Sequence, residues 1–474
     1  MNRLPPELLT RVFDLAVDHG SEEHAKQVIP LTHVCRYWRT VLLSYPGMWS
    51  TVYMKPGDPT VISEWLARSQ KVPLTVVAEF SDSYEHPPCR YQDLATATLA
   101  GSNDPGLCPR HQAVLSLDQL LPHRSRIRDL SIRLDSSNPY WNDPEDEGHE
   151  GEPTLLYHHF FRGTLPNLQH LDFRAAHVQR RRFMIPIPEP LFVGGLPRLK
   201  KLKYLGVTPG LTGMVKNLAS CEIGNWSRTA GITFLHPNEL QVFFNNNKNV
   251  ESLTLGDNCE VFHDEPWVPI AIPMTDLKFL KIQCWSSREI EKFLNFIHAP
   301  QFKNLDTVQL SRSALRGVQA VVTDGSGHAF QFSYYEDEAT PHPVRHFGTA
   351  ITTLRLDQGM TLNSASHLRD LFWSLDAVQV LEFNGTIADF VQGVLSETEL
   401  FLELRVIRVA VSRGDCKRTL RLLAIASKRR MEEGNPLTTI EPLLVEGKDR
   451  LDQSLRVEWE EGYKAEDIDI VLSK

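Results

Sequence analysis

"VESLTLGDN" (Val250–Asn258) opens with apolar residues at its first, fourth and sixth positions and polar residues between them. The later steps have the two-residue period of a strand with one covered face. The same order recurs in "IRDLSI" at 127, "LQHLDF" at 168, "LKKLKY" at 199, "LASCEI" at 218, "LKFLKI" at 277, "LDTVQL" at 305, "ITTLRL" at 351, "VQVLEF" at 378 and "LRVIRV" at 404. Self-similar units that cannot bury their own apolar face must stack on one another.

Helix-like segments stand between several units: "SSREIEKFLNFIHA" before 305, "NSASHLRDLFWSL" before 378 and "IADFVQGVLSE" before 404. Units starting at 250, 277 and 305, and again at 351, 378 and 404, lie 26 to 28 residues apart. This period resembles that of the leucine-rich repeat, which implies one strand and one helix per unit in a curved solenoid. Only the unit at 250 has an asparagine, Asn258, at the position where that family bonds its turn backbone; Ala176, Val207, Trp226, Trp285, Ser313, Gly359 and Thr386 stand there in others. The resemblance therefore implies an irregular arc.

The chain has 474 residues, 42% hydrophobic and 23% charged, so it folds and has several cores or a repeat architecture. A net charge of -9 argues against nucleic-acid binding by simple charge. Seven scattered cysteines without a CxxC pair fit a reducing compartment, and no apolar run is long enough for a membrane span. A cytoplasmic or nuclear location is expected, with no membrane partner.

At the other end of the chain, "LPPELLTRVFDLAV" places Pro5 and Pro6 where a first helical turn tolerates them. Its apolar residues Leu4, Leu8, Leu9, Val12, Phe13, Ala16 and Val17 form two adjacent stripes, so the helix is covered from more than one side. After the polar "DHGSEEHAKQ", a second helix is expected from about Pro30, carrying Leu31, Val34, Cys35, Trp38, Val41 and Leu42 until Pro46 and Gly47 stop it. Some fifty residues of short helices are marginal alone, and their surplus apolar surface predicts an obligate partner.

These residues, "LPPELLTRVF" and then "VCRYWRTVLLSYPGMWSTV", resemble the F-box. The resemblance implies contact with a Skp-family adaptor, and through it with cullin and RING subunits of an SCF-type ubiquitin ligase. It carries adaptor contact onto Leu4, Pro5, Leu8, Val12, Phe13, Val34, Cys35, Trp38 and Trp49. Of these, Val34 and Trp38 are the preferred contacts, and Trp49 serves equally well as an internal anchor. "WLARSQKVPL" and "HRSRIRDLSI" extend the likeness to the expanded F-box families of mushroom-forming fungi. The expected fold class is α/β: a helical F-box over 1–54, a linking helix, strand and loop over 55–111, an irregular leucine-rich-repeat-like solenoid over 112–446 and an acidic tail over 447–474.

Three insertions interrupt the repeats. "YWNDPEDEGHEGEP" reads as an acidic loop, "HVQRRRFMIPIPEP" as a solvated arginine-bearing loop, and "VQAVVTDGSGHAFQFSYYEDE" as a β-hairpin closed by an Asp-Gly-Ser-Gly turn.

One set of residues has metal-ligand spacing: His86 and Cys89 in "HPPC", with Cys108 and His111 in "CPRH". The prolines within and beside both pairs, and the lack of a finger-like apolar pattern, favour an exposed loop over zinc. No Ser/His/Asp, Cys/His or paired-carboxylate arrangement stands out, so neither enzymatic chemistry nor a cofactor is expected. "YHHFF" around His158 and His159 reads as a helix flanked by aromatics.

Strand alternation sends the variable residues of each unit to the inner face, among them Arg174, Lys201, Lys203, Phe279, Lys281, Arg355, Asp357 and Arg408. That partly basic surface suits an acidic or phosphorylated segment. Together these features predict a substrate receptor of a ubiquitin ligase that binds an unidentified target protein. The competing expectation is a Skp-bound or free scaffold without a ubiquitylation role.

Overall fold

All ten quoted units become strands. In this computed structural model they begin at Ile127, His170, Lys201, Ser220, Ser252, Phe279, Thr307, Thr353, Val380 and Val406. The structure describes residues 4–18, 23–54, 59–80, 109–134, 159–175, 195–205, 215–224, 233–234, 237–256, 259–260, 272–283, 307–312, 317–324, 326–335, 351–356, 375–384, 401–411, 427–434 and 439–444. It also describes single residues or pairs at 192, 290, 293–294, 297–298, 302, 305, 423, 425 and 437. The chain is mixed α/β with a large, mostly parallel sheet. It divides into two compact units, Met1–Val250 with Gly256–Cys259, and Glu251–Leu255 with Glu260–Lys474.

The first unit opens with α1 (Pro6–Ala16), α2 (His24–Leu31), α3 (Arg36–Leu43) and a 3-10 turn, Pro46–Trp49. The single helix expected from Pro30 is two helices. From His24 onward the polar stretch before Pro30 is helical, and α2 ends just after that proline, where Thr32 and His33 donate back to Ile29 and Pro30 in tight turns. Cys35 then caps α3, its Sγ accepting the Trp38 N–H at 3.4 Å. Tyr45 donates to the Asp14 carboxylate at 2.8 Å and Tyr37 to the Leu4 carbonyl, tying α3 and the turn after it back to α1. Partial burial, together with that bond and the charge of Asp14, pushes the Tyr45 phenol up to about 12.

There follow β1 (Thr51–Met54), α4 (Pro59–Arg68), β2 (Leu74–Phe80), α5 (Pro109–Leu120), β3 (Ile127–Leu134), α6 (His159–Arg162), β4 (His170–Ala175), β5 (Lys201–Leu205), β6 (Ser220–Gly224) and α7 (Pro237–Asn246). The strands β1 to β6 pair in chain order, all parallel. Their covered face is a continuous apolar row, Val52, Val76, Leu130, Leu171, Leu202 and Cys221, with Met54, Ala78, Ile132, Phe173, Tyr204 and Ile223 beside it. Burial in that row lifts the Cys221 thiol well above the ordinary thiol range, leaving it a small packed side chain.

The second unit contains β7 (Ser252–Leu255), β8 (Phe279–Gln283), β9 (Thr307–Arg312), β10 (Gly317–Thr323), β11 (Ala329–Tyr335), β12 (Thr353–Leu356), β13 (Val380–Asn384), β14 (Val406–Val411) and β15 (Thr439–Leu444). Their order is β7-β8-β11-β10-β9-β12-β13-β14-β15. The hairpin β10–β11 is present, but as two strands wedged into the sheet: β11 runs parallel to β8, and β10 antiparallel to β9. One strand per repeat is thereby lost as a rule, and the sheet is not the solenoid expected from the period. A second difference lies at Ile297–His298, expected as helix, which pairs in parallel with Ile272–Pro273. The other helix-like segments of this unit, the acidic and arginine-bearing loops, Asn258 and residues 445–474 lie outside the described residues.

A shared entry turn precedes the strands. Leu168, Leu199, Leu277, Leu305, Val378 and Leu404 each donate to a carbonyl three residues back, on Leu165, Leu196, Met274, Phe302, Leu375 and Phe401. All six acceptors are buried, so each of these six units starts with an apolar residue three positions earlier than the quoted pattern. At two entrances a buried polar side chain locks the turn. Asn247 accepts from the Leu218 N–H and donates to the Val215 and Phe243 carbonyls, joining the entrance of β6 to α7. In the second unit Arg430 donates to the Phe401 carbonyl at 2.6 Å.

Candidate functional site: an outward apolar stripe and two open sheet faces

Helix α1 carries two stripes with opposite fates. Leu9, Phe13 and Val17 are buried, with the Phe13 ring meeting Trp38 edge-on at 5.0 Å. Leu8, Val12 and Leu15, one helical turn apart in sequence, are 53%, 46% and 85% exposed. Ile29 at the end of α2 and Val34 just before α3 are open as well. Seven of the twelve large apolar side chains exposed among the described residues fall between 4 and 43, which concentrates uncovered apolar surface in this segment.

Of the residues carried over as adaptor contacts, Leu4, Pro5, Leu8, Val12 and Val34 are exposed, and Cys35 and Trp38 half-buried. Phe13 is sealed inside and does not face outward, and Trp49, also sealed, takes the place of the internal anchor expected as its alternative. Trp49 donates its indole N–H to the Leu42 carbonyl at 2.8 Å, meets Trp65 edge-on at 4.9 Å and lies under the Arg68 guanidinium. Its surroundings use both the ring and the polar edge, so it anchors α3 and α4 internally. Leu15 and Ile29 are exposed beyond the expected set, and the i, i+4, i+7 spacing of Leu8, Val12 and Leu15 is the signal that marks the first of them.

The open face of the first unit's sheet is charged and internally paired. Asp172 binds Arg174 through two bonds of 2.8 and 2.6 Å, and Lys203 meets Glu222 at 2.6 Å. Asp129 holds His170 and Arg128, Thr75 donates to it, and Glu79 takes Tyr53 and Arg133. The Asp172 hydrogen bond, working against partial burial, holds the Arg174 proton more firmly than usual. Lys201 is exposed with no ion pair among the described residues. The expected basic surface is, in this unit, a neutralised one.

The second unit's open face differs. One register row reads Phe279, Ala329, Thr323, Thr307, Thr353, Val380 and Val406, all half-buried. The row beside it includes Lys281, Gln331, Val321, Arg355, Glu382 and Arg408. Glu382 binds Arg355 on one side and Arg408, at 2.7 Å, on the other. Asp357 lies outside the described residues.

His86, Cys89 and Cys108 also lie outside them, and His111 falls within α5. Among the described residues no group of three or more His, Cys, Asp or Glu side chains is placed to hold a metal ion, and no helix is long and apolar enough to cross a membrane. The pair His158 and His159 reaches the described structure only at His159, which starts α6 ahead of the buried Phe160 and Phe161. No protein-family model matches the chain, and no curated protein matches it.

Proposed function

We propose that the chain is the substrate-recognition subunit of an SCF-type ubiquitin ligase. Its N-terminal helices would serve as the F-box that binds a Skp-family adaptor, bringing cullin and RING subunits with it. The parallel units, taken as degenerate leucine-rich repeats of the kind found in the expanded families of mushroom-forming fungi, would hold a target protein for ubiquitylation in the cytoplasm or nucleus. In this reading the chain performs no chemistry itself and accelerates transfer by proximity.

The observation that carries the proposal is the outward stripe Leu8, Val12 and Leu15 on α1, with Val34 also exposed just before α3. Covering each such side chain contributes on the order of 2 kcal/mol, so a partner that buries all four gains a strong anchor. The position supports the resemblance because Leu8 and Val12 fall within the "LPPELLTRVF" segment and Val34 opens "VCRYWRTVLLSYPGMWSTV".

Co-expression with a Skp-family adaptor tests it. The adaptor is expected to copurify with the native chain and to be lost with Leu8→Asp plus Val12→Asp, whose side chains already face water, while thermal stability is unchanged. Copurification that survives this double change rejects the assignment. If the adaptor binds but cullin and RING subunits never enter the complex, the scaffold reading replaces the ligase one.

A further inference from the structure

We infer that the N-terminal helices, besides presenting the outward stripe, are the end cap of the first unit's parallel sheet, so that covering the stripe also stabilises β1, α4 and β2. This goes beyond the ligase reading and holds for any partner that covers the stripe. β1 is the last strand on its side of the sheet, and among the described strands it pairs with β2 alone. An open strand edge of this kind invites pairing with another chain. Yet Thr51, Val52 and Met54 are 3%, 1% and 0% exposed, so this four-residue edge strand is enclosed as fully as the middle of the sheet.

What encloses it comes from both sides of the boundary expected at residue 54. α4 packs on β1 and on the 3-10 turn, the turn on α3, and α3 on α1 and α2. Trp65 of α4 joins them: its ring meets Trp49 of the turn edge-on at 4.9 Å and His24 of α2 at 5.7 Å. His24 also donates to the Met48 carbonyl at 3.0 Å, and Trp49 to that of Leu42 in α3. From α3, Trp38 reaches Phe13 on the buried face of α1, whose other face is the stripe. In the opposite direction Thr75 of β2 donates to the Ser50 carbonyl at 3.0 Å, and Arg126, at the entrance of β3, donates to Ser69 and Val72 just past α4 at 2.7 and 3.0 Å.

Helices of 11, 8 and 8 residues are marginal alone. The rings that complete their core, Trp49 and Trp65, belong to the turn and the helix that also close the edge of the sheet. Opening the helices and opening β1 therefore expose the same rings, which makes the two a single cooperative unit. A ligand that binds one part of such a unit stabilises all of it, because every opening that frees β1 also disorders the ligand's surface.

Native-state hydrogen exchange on the full chain tests the inference. Amides of α1 to α3 are expected to open with the same urea dependence as those of β1 and α4. Trp65→Ala is expected to speed exchange in all of them by about a hundredfold, Trp65→Phe by much less, and neither should alter β12 to β14 of the second unit. Faster exchange confined to α4 and β1, or an opening of α1 to α3 distinct from theirs in the native chain, overturns the inference. Should Trp65→Ala misfold, the urea dependence of the native chain still decides it. With a Skp-family adaptor as the probe, protection is expected to rise in β1 and α4 as well as in α1, and a rise confined to α1 through α3 overturns the coupling. Failure of the adaptor to bind rejects the ligase reading alone, since the exchange comparison is made without it.

Discussion

Tyr204 illustrates how closely single side chains are set in this sheet. Its ring stacks on Phe173 at 5.1 Å, fully enclosed between β4 and β5, and its hydroxyl has no hydrogen-bond partner among the described residues. Burial pushes the phenol pKa far above its ordinary value. An enclosed hydroxyl without a partner costs roughly 1–3 kcal/mol, so removing it should stabilise the chain. Tyr204→Phe keeps the stacked ring, and its melting temperature is expected to rise by a few degrees in a calorimetric scan. A fall would show that the hydroxyl has a partner beyond the described residues. The tyrosine's unpartnered hydroxyl could not be read from the sequence, whereas an internal place for Trp49 is one of its two expected roles. Alternation places Tyr204 on the covered face, but whether its polar end finds a partner depends on packing that no residue period encodes.

At the scale of elements, the hairpin β10–β11 shows both what was legible and what was not. Its existence followed from alternating apolar residues around an Asp-Gly-Ser-Gly turn. The turn is held by Asp324: its carboxylate accepts from the Ser326 and His328 backbone amides, both at 2.9 Å, from the Ser326 hydroxyl at 2.7 Å and from the His328 ring at 2.8 Å. Burial pushes the carboxyl upward, but these bonds outweigh it and hold the acid far below the usual carboxylate range. Because the folded pKa is depressed, the turn's contribution is fully present above the unfolded value of about 3.9 and is lost as pH falls toward the folded value. Hydrogen exchange in β10 and β11 should therefore quicken selectively below about pH 4. Asp324→Asn is expected to quicken it at neutral pH and to flatten the acid dependence. Equal exchange in the variant and native hairpins at neutral pH would rule out this role for the carboxylate. The place of the hairpin was not legible, because which strands become neighbours is decided by pairing between distant segments. The two helices in place of one after residue 23 are hidden for a different reason: polar composition conceals α2, and the proline in its last turn resembles a helix start.

For the molecule as a whole, the repeat pattern located the ten strands, and chain order supplied most of their pairing. What it overstated was regularity, and the wedged hairpin is the cause. Two antiparallel strands inserted together leave β9 running in the same direction as β8, and the register carries Phe279 through Ala329 and Thr323 to Thr307 without a change of face. Had one strand been inserted, the covered leucines beyond it would have met a reversed neighbour. Two strands instead add about 10 Å of width and preserve every row. It follows that excising residues 313–338, with a short glycine-serine linker in their place, should let β8 pair directly with β9, Phe279 against Thr307 and Leu280 against Val308. Such a variant is expected to retain cooperative unfolding and its parallel-sheet signal in infrared spectra, with stability lowered by the lost hairpin packing. Amide protection in β8 and β9 should be recovered, since each regains a partner edge. Loss of cooperative unfolding, or β8 and β9 left unprotected, would instead make the hairpin a structural keystone of the second unit, and would mean that the repeat pattern alone is insufficient to close that unit's sheet.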